Sequence, residues 1–279
     1  MKQSKWTKTG IYLLLILFTA VFILPVMMVF VGSIKIDEPQ IMSDLKGFRA
    51  FLPVGQLGME NYQQIMSRIP FFHFLKNSVI IVTISILVGT LVSSMLGYAL
   101  ARLEFKGQGL ILAVVISLLI IPSESIMMTQ LSLVHRMGLV DTLIAQVFPA
   151  VADVFIIYLF YQGFLDIPHE IEEAAVVDGL SYPGIYAKIV MPLSRPTIVT
   201  TIILSALSRW GDVLWPTMVT RGKAVRPLAI GVQQLFADTS KFWGDIFASA
   251  VIMVLPILIL YLIFQKQFVA SMSTSGLKG

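Results

Sequence analysis

The chain reads as an all-α integral membrane protein of six transmembrane helices, and three observations carry that reading. Charged residues make up 13% of it and hydrophobic residues 57%, whereas a soluble domain is about a quarter charged. The mean hydropathy is +0.85, so the apolar excess needs a solvent of its own, the bilayer. Uncharged runs of about 20 residues, enough to cross the hydrocarbon core at about 1.5 Å per residue, recur along the chain. No composition shift marks a boundary, so residues 1–279 read as one helical membrane domain.

The first ten residues carry Lys2, Lys5 and Lys8, and Ile11 to Val31 then runs without a charge. A signal peptide has a shorter apolar region that ends at a small-residue cleavage site. This run is longer and continues past Pro25, so it reads as an uncleaved first span with its basic end held in the cytoplasm. Ile34 to Lys76 is polar and turn-rich and reads as a long external loop. Ser78 to Ala101 is the second span, and RLEFKGQG is a short basic link behind it. Leu110 to Pro122 begins a third span, interrupted by Pro122 and Glu124. The segment TQLSLVHRMGLVD follows as an external piece with helical character. Thr142 to Phe164 is the fourth span, with Asp153 inside it. Thr197 to Val219 is the fifth, interrupted by SRWGD, and Ile246 to Phe264 is the sixth. Six spans put both termini on one side. Lys and Arg number nine on the inner segments and ten on the outer ones; long loops count for little, so orientation rests on the lysine-rich start.

Composition also excludes several functions. There is no cysteine, hence no disulfide, thiolate metal site or cysteine nucleophile. His73, His135 and His169 lie far apart without ligand spacing. The net charge is +4 and the pI about 9.2, but the basic residues form no stripe of the kind that tracks nucleic acid.

Between the fourth and fifth spans lies EEAAVVDGLSYPGIYAKIVMPLSRP, Glu172 to Pro196. Pro168 suits a helix start, and His169 to Asp178 are helix formers. Gly179 is a natural stop because it accepts positive φ. Ser181 and Pro183 suit the start of a second short helix. The segment therefore reads as helix, glycine turn, helix. Its carboxylates bar it from lipid, while Ile171, Ala174, Ala175, Ile185, Ile189 and Met191 are apolar for an idle solvent loop. Two readings fit: docking into another protein's groove, or an amphipathic loop lying on its own helix ends.

The letters Glu173-Ala174-Ala175, then Gly179, then Ile189-Val190-Met191-Pro192 resemble the EAA loop of ABC importer permeases, with Met191 where the family has leucine. FLKNSVIIV at Phe74, GYALARLEFKG at Gly97, LVDTLIAQVFP at Leu139, FLDIPHEIEEAAVVDG at Phe164 and the closing GLKG extend the resemblance over nearly the whole chain. They are similar to the carbohydrate-uptake branch, and within it to the smaller, maltose-type permease. The resemblance implies a type I importer permease of the bacterial inner membrane, multi-pass, with cytoplasmic termini. Residues 166–195 would be its cytoplasmic coupling loop. Glu173 and Asp178 would supply charged or capping contacts, Ala174 and Ala175 close approach, and Gly179 the angle between the short helices; Ile189 and Pro192 complete the motif. The implied partners are a second homologous permease, two cytoplasmic ATPase subunits and an extracytoplasmic solute-binding protein, with a sugar or oligosaccharide as cargo. The chain has no G-x-x-x-x-G-K-[ST] phosphate loop. It is thus expected to be non-catalytic and to bind no cofactor, with ATP and magnesium on the partner ATPase.

Polar residues at membrane depth are pathway candidates. Asp153 is either a cargo contact or a buried acid satisfied by a neighbouring helix. Arg209 and Asp212 are spaced to pair on one helix face, or else they meet cargo. Trp210 and Trp215 offer rings for sugar CH faces, although interfacial tryptophans are common in membrane proteins. The family has a tryptophan–asparagine pair here; this chain has Trp210-Gly211-Asp212, so that role does not carry over directly. Two other classes remain to weigh. A gradient-driven carrier predicts inverted repeats, and none is visible. A membrane enzyme predicts clustered acids and histidines, and these are scattered. A non-sugar importer stays open.

Overall fold

The computed structural model describes residues 5–237 and 242–275, with side chains over 10–236 and 242–265. Lys2 and the closing GLKG lie outside the described residues. Among those described, the regular structure is helical, with one isolated bridge between Lys35 and Leu57. Among the described residues three helices are long and apolar enough to cross a membrane unbroken, and three further pairs are bent at a short break. The total is six if each pair counts as one span. The chain divides into two compact units.

The first unit gathers Met1–Phe72 and Gly231–Pro256. Helix α1 (Lys5–Ser33) leads into α2 (Glu38–Asp44), a 3₁₀ turn at Phe48–Phe51, and α3 (Glu60–Arg68). The segment expected to be a loop is thus built and ordered, and its hydrogen bonds show why. Lys35 is buried, with Nζ 2.7 Å from Asp44 Oδ2 and 2.8 Å from the Arg49 carbonyl. The Asn61 amide donates to the carbonyls of Ser33 and Lys35 at 2.9 and 2.8 Å. Neither charge of the Lys35–Asp44 pair has a local pattern that announces it. Their attraction and hydrogen bond hold the Asp44 carboxyl below its ordinary pKa.

The second unit gathers His73–Ile230 and Ile257–Gly279. Its longest element, α4 (Phe71–Arg102), runs without a proline for 32 residues. Then α5 (Gln108–Leu118) and α6 (Ser123–Arg136) meet at 107°, because Pro122 lacks the N–H that a continuous helix needs. The fourth span is also broken. Thr142 caps α7 (Leu143–Val147), a 3₁₀ turn covers Phe148–Ala150, and α8 (Val154–Leu165) leaves at 44°. The loop segment holds α9 (His169–Val177), α10 (Tyr182–Ile185) and, beyond a π-helical turn at Tyr186–Val190, α11 (Met191–Leu193). The π turn has a local cause: Pro192 brings no N–H to the Lys188 carbonyl four residues back, and its ring crowds that carbonyl. Then come α12 (Arg195–Trp210), α13 (Leu214–Val219), α14 (Leu228–Ala237) and α15 (Trp243–Ser275). The second short helix of the loop is apolar enough that Tyr182–Leu193 and α12 qualify together as a bent pair, at 78°.

Candidate functional site

The loop is helix, turn, helix. Asp178 ends α9, and Gly179 follows at φ +83°. The Gly179 N–H donates to the Val176 carbonyl and the Leu180 N–H to the Ala175 carbonyl, each at 3.0 Å. These two bonds close the last turn and need the left-handed residue that glycine supplies. Ser181 stands at the start of α10 in extended conformation, but its hydroxyl makes no capping bond; its carbonyl accepts from the Ile185 N–H at 2.9 Å. Pro168 sits at the cap position of α9 rather than in its first turn, while Pro183 is inside the first turn of α10.

The faces of α9 divide. Glu172 and Ala175 turn inward, while Glu173, Ala174, Val176, Val177, Asp178 and Gly179 are exposed, Val177 at 87%. Ala175, Ile185 and Val190 join a core with Tyr98 of α4 and Ile156, Phe160 and Phe164 of α8, and the half-buried Ile189 packs against it. Pro192 is exposed. The segment therefore has two faces: one lies on the chain's own helices, the other is presented outward.

Sequence reasoning missed what anchors the inward face. Arg102, at the end of α4 and with its side chain fully buried, places Nε 3.0 Å from Glu172 Oε1. Its guanidinium also donates to the carbonyls of Phe164 and Ile167, where α8 ends. About two turns below, the Ser94 and Tyr186 hydroxyls share a hydrogen bond at 2.8 Å. Arg102 and Glu172 are 70 residues apart in sequence; the one signal was a cation closing a span in an otherwise uncharged run.

A concavity of about 770 Å³ lies where three breaks converge: between α5 and α6, ahead of α8, and between α12 and α13. Irregular backbone at membrane depth is tolerated where it lines a cavity. Asp153, Arg209, Asp212 and Trp215 all line it, and so does Glu124, whose position after Pro122 in an apolar run was the signal that could have found it. Asp153 is not within a continuous helix. It caps α8, accepting from the N–H groups of Phe155 and Ile156 at 3.0 and 3.2 Å. Arg209 and Asp212 stand 3.9 Å apart, and Asp212 also accepts from the Trp215 N–H at 3.3 Å. Trp215 is 2% exposed, with its indole N–H donated to the Ala145 carbonyl at 2.9 Å; Trp210 is buried too and does not line the cavity. Both rings are committed to packing, and neither offers an open face for stacking on a sugar.

Comparison with known proteins agrees with this architecture. The family model described as binding-protein-dependent transport system inner membrane component matches residues 89–274. An arabinooligosaccharides transport system permease protein, AraQ, of Halalkalibacterium halodurans is 35% identical over 203 residues, 73% of each chain. The trehalose/maltose transport system permease MalG of Thermococcus litoralis is 29% identical over 95% of this chain and 94% of its own. Among solved structures, a chain of a bacterial ABC transporter involved in the import of alginate superposes with a TM-score of 0.81 at 21% identity, covering 96% of this chain and 99% of that one. A methionine ABC transporter chain matches 75% of this chain at a TM-score of 0.56, so the fold does not by itself choose a cargo. The protein belongs to the binding-protein-dependent transport system inner membrane components and is a multi-pass, non-catalytic permease subunit of an ABC importer.

Proposed function

We propose that the chain is the permease of a sugar or oligosaccharide importer, and that residues 166–195 are its cytoplasmic coupling loop within a single permease domain, 1–279. Membership in the family implies an ATPase, a solute-binding protein and a partner permease. The finer reading is of two ATPase subunits that bind ATP and magnesium, a second permease that completes the pathway, and a binding protein on the outer face. Both termini then lie in the cytoplasm. The carbohydrate assignment draws on the relatives named for arabinooligosaccharides and for trehalose and maltose. A pathway wall is supported by a cavity within the usual ligand-site range of roughly 300–1,000 Å³, lined by Asp153, Arg209 and Asp212.

The observation that carries the coupling assignment is the divided α9. An exposed apolar Val177 beside Glu173 and Asp178 suits a groove in a partner, while the buried face welds the loop to α4 and α8. Closure of the ATPase subunits would drag the docked loop, and the spans would rock between inward- and outward-facing states. Such a device needs a rigid contact with two arrangements. Uptake by the reconstituted importer tests it. Glu173→Lys reverses the outward charge, and Gly179→Pro removes a donor where φ is +83°. Each is expected to abolish uptake while the chain stays in the membrane; normal uptake by both would refute the coupling loop.

A further inference from the structure

The two ends of α4 are each tied by side chains to a different loop. At its C-terminal end Ser94, Tyr98 and Arg102 follow one another at four-residue spacing, on one stripe of the helix. They meet the coupling segment through Tyr186, the shared apolar core, and Glu172. At its N-terminal end His73 Nε2 lies 2.7 Å from the Ala224 carbonyl. The Asn77 amide donates to the carbonyls of Ala224 and Arg226, both at 3.0 Å, and Ser78 Oγ accepts from the Leu228 N–H at 2.8 Å. Asp141 takes the N–H groups of Arg221 and Gly222 at 2.9 and 3.1 Å, and Gln146 donates to the Val225 carbonyl. The stretch 221–228 has no regular structure of its own up to Leu228, yet side chains from α4, α7 and the loop before α7 hold most of its backbone.

Between these ends α4 is unbroken, whereas α5–α6, α7–α8 and α11–α12 are each bent at a break. Its two inner glycines are not hinges in this setting. A Cβ at Gly89 would lie 2.6 Å from the Ala150 carbonyl, and one at Gly97 2.8 Å from Phe160 Cβ, so both points are pressed against neighbouring backbone or side chain. Small residues that bring helices this close stiffen the contact.

We infer that α4 is a strut: a rigid rod that carries displacement of the coupling segment, through Arg102 and Glu172, to the opposite loop 221–228 through His73, Asn77 and Ser78. This rests on the coupling-loop reading above. It makes Arg102, Glu172 and Asn77 positioning residues, and it names loop 221–228 as the outer element whose placement depends on the ATPase. Asn77 and Arg102 are about 38 Å apart along the axis at about 1.5 Å per residue. At that separation substitutions ordinarily act independently. A strut fails as one object: once either end is cut, cutting the other changes nothing more.

The test uses the complete importer in lipid nanodiscs and its own binding protein as isolated with its cargo. The readout is the factor by which that binding protein stimulates ATP hydrolysis, taken per ATPase subunit retained. Arg102→Met with Glu172→Leu cuts the inner end without stranding a buried charge. Asn77→Ala with Ser78→Ala cuts the outer end, and His73→Ala cuts it more gently. Each paired change is expected to lower the stimulation factor at least tenfold, His73→Ala about threefold, and the two pairs together no further than one pair alone. The strut is overturned if the outer-end changes leave stimulation within twofold of native, or if the losses of the two ends multiply. Failure of the underlying reading looks different: Val177→Asp on the exposed face of α9 would then leave the ATPase subunits retained by the chain at the native level.

Discussion

Single side chains in this protein do more by hydrogen bonding to backbone than by pairing with one another. Asp141 holds two loop N–H groups, and these bonds keep its carboxyl below the ordinary range. The sign follows: a depressed folded pKa contributes stability above the unfolded value near 3.9, and that contribution is lost as pH falls through the lower folded value. Asp141→Asn is therefore expected to lower the hydrogen-exchange protection factors of Arg221 and Gly222 at neutral pH, and acid is expected to lower the same factors in the native chain, each taken relative to the intrinsic exchange rate at that pH. Val177 is the opposite case, a residue 87% exposed. If its side chain fills a partner's groove, Val177→Asp should reduce the ATPase subunits recovered with the permease by at least tenfold while leaving the yield of the chain itself near native.

Elements are where the sequence was most and least readable. Six apolar runs and the turn at Gly179 could be seen directly, because bilayer thickness and positive φ each demand a narrow residue choice. The division of α9 into two faces could not, since Ala174 and Ala175 are chemically alike and only the tertiary core distinguishes them. The Arg102–Glu172 contact was invisible for the same reason: no local spacing links residues 70 positions apart. Apolar residues flank Asp153 on both sides and give it the look of a residue within a span, and the break that makes it a cap leaves little trace in composition. As an N-cap it is worth about 1 kcal/mol. Asp153→Ala should start α8 less firmly, lowering thermal stability, while Asp153→Ser should recover much of the loss.

At the level of the whole molecule the bilayer accounts for what would be faults in a soluble protein. Side chains from Ile11 to Phe18 of α1 are exposed and apolar, which costs nothing where lipid or a partner permease covers them. The polar exceptions gather instead at the cavity where three helix breaks meet. Glu124 is exposed there and caps nothing among the contacts described, so Glu124→Gln is expected to change the KM of uptake several-fold with the amount of permease in the membrane unaltered. The burial of Arg102 has a further, practical side. Ionic strength screens exposed charges over a Debye length of about 8 Å at physiological salt and far less at 1 M, but it barely reaches a buried pair. Glu173 and Asp178 face outward, whereas Arg102 and Glu172 face in. Concentrated salt should then strip the ATPase from the permease and leave the loop seated, so that dilution alone would allow the importer to be put back together.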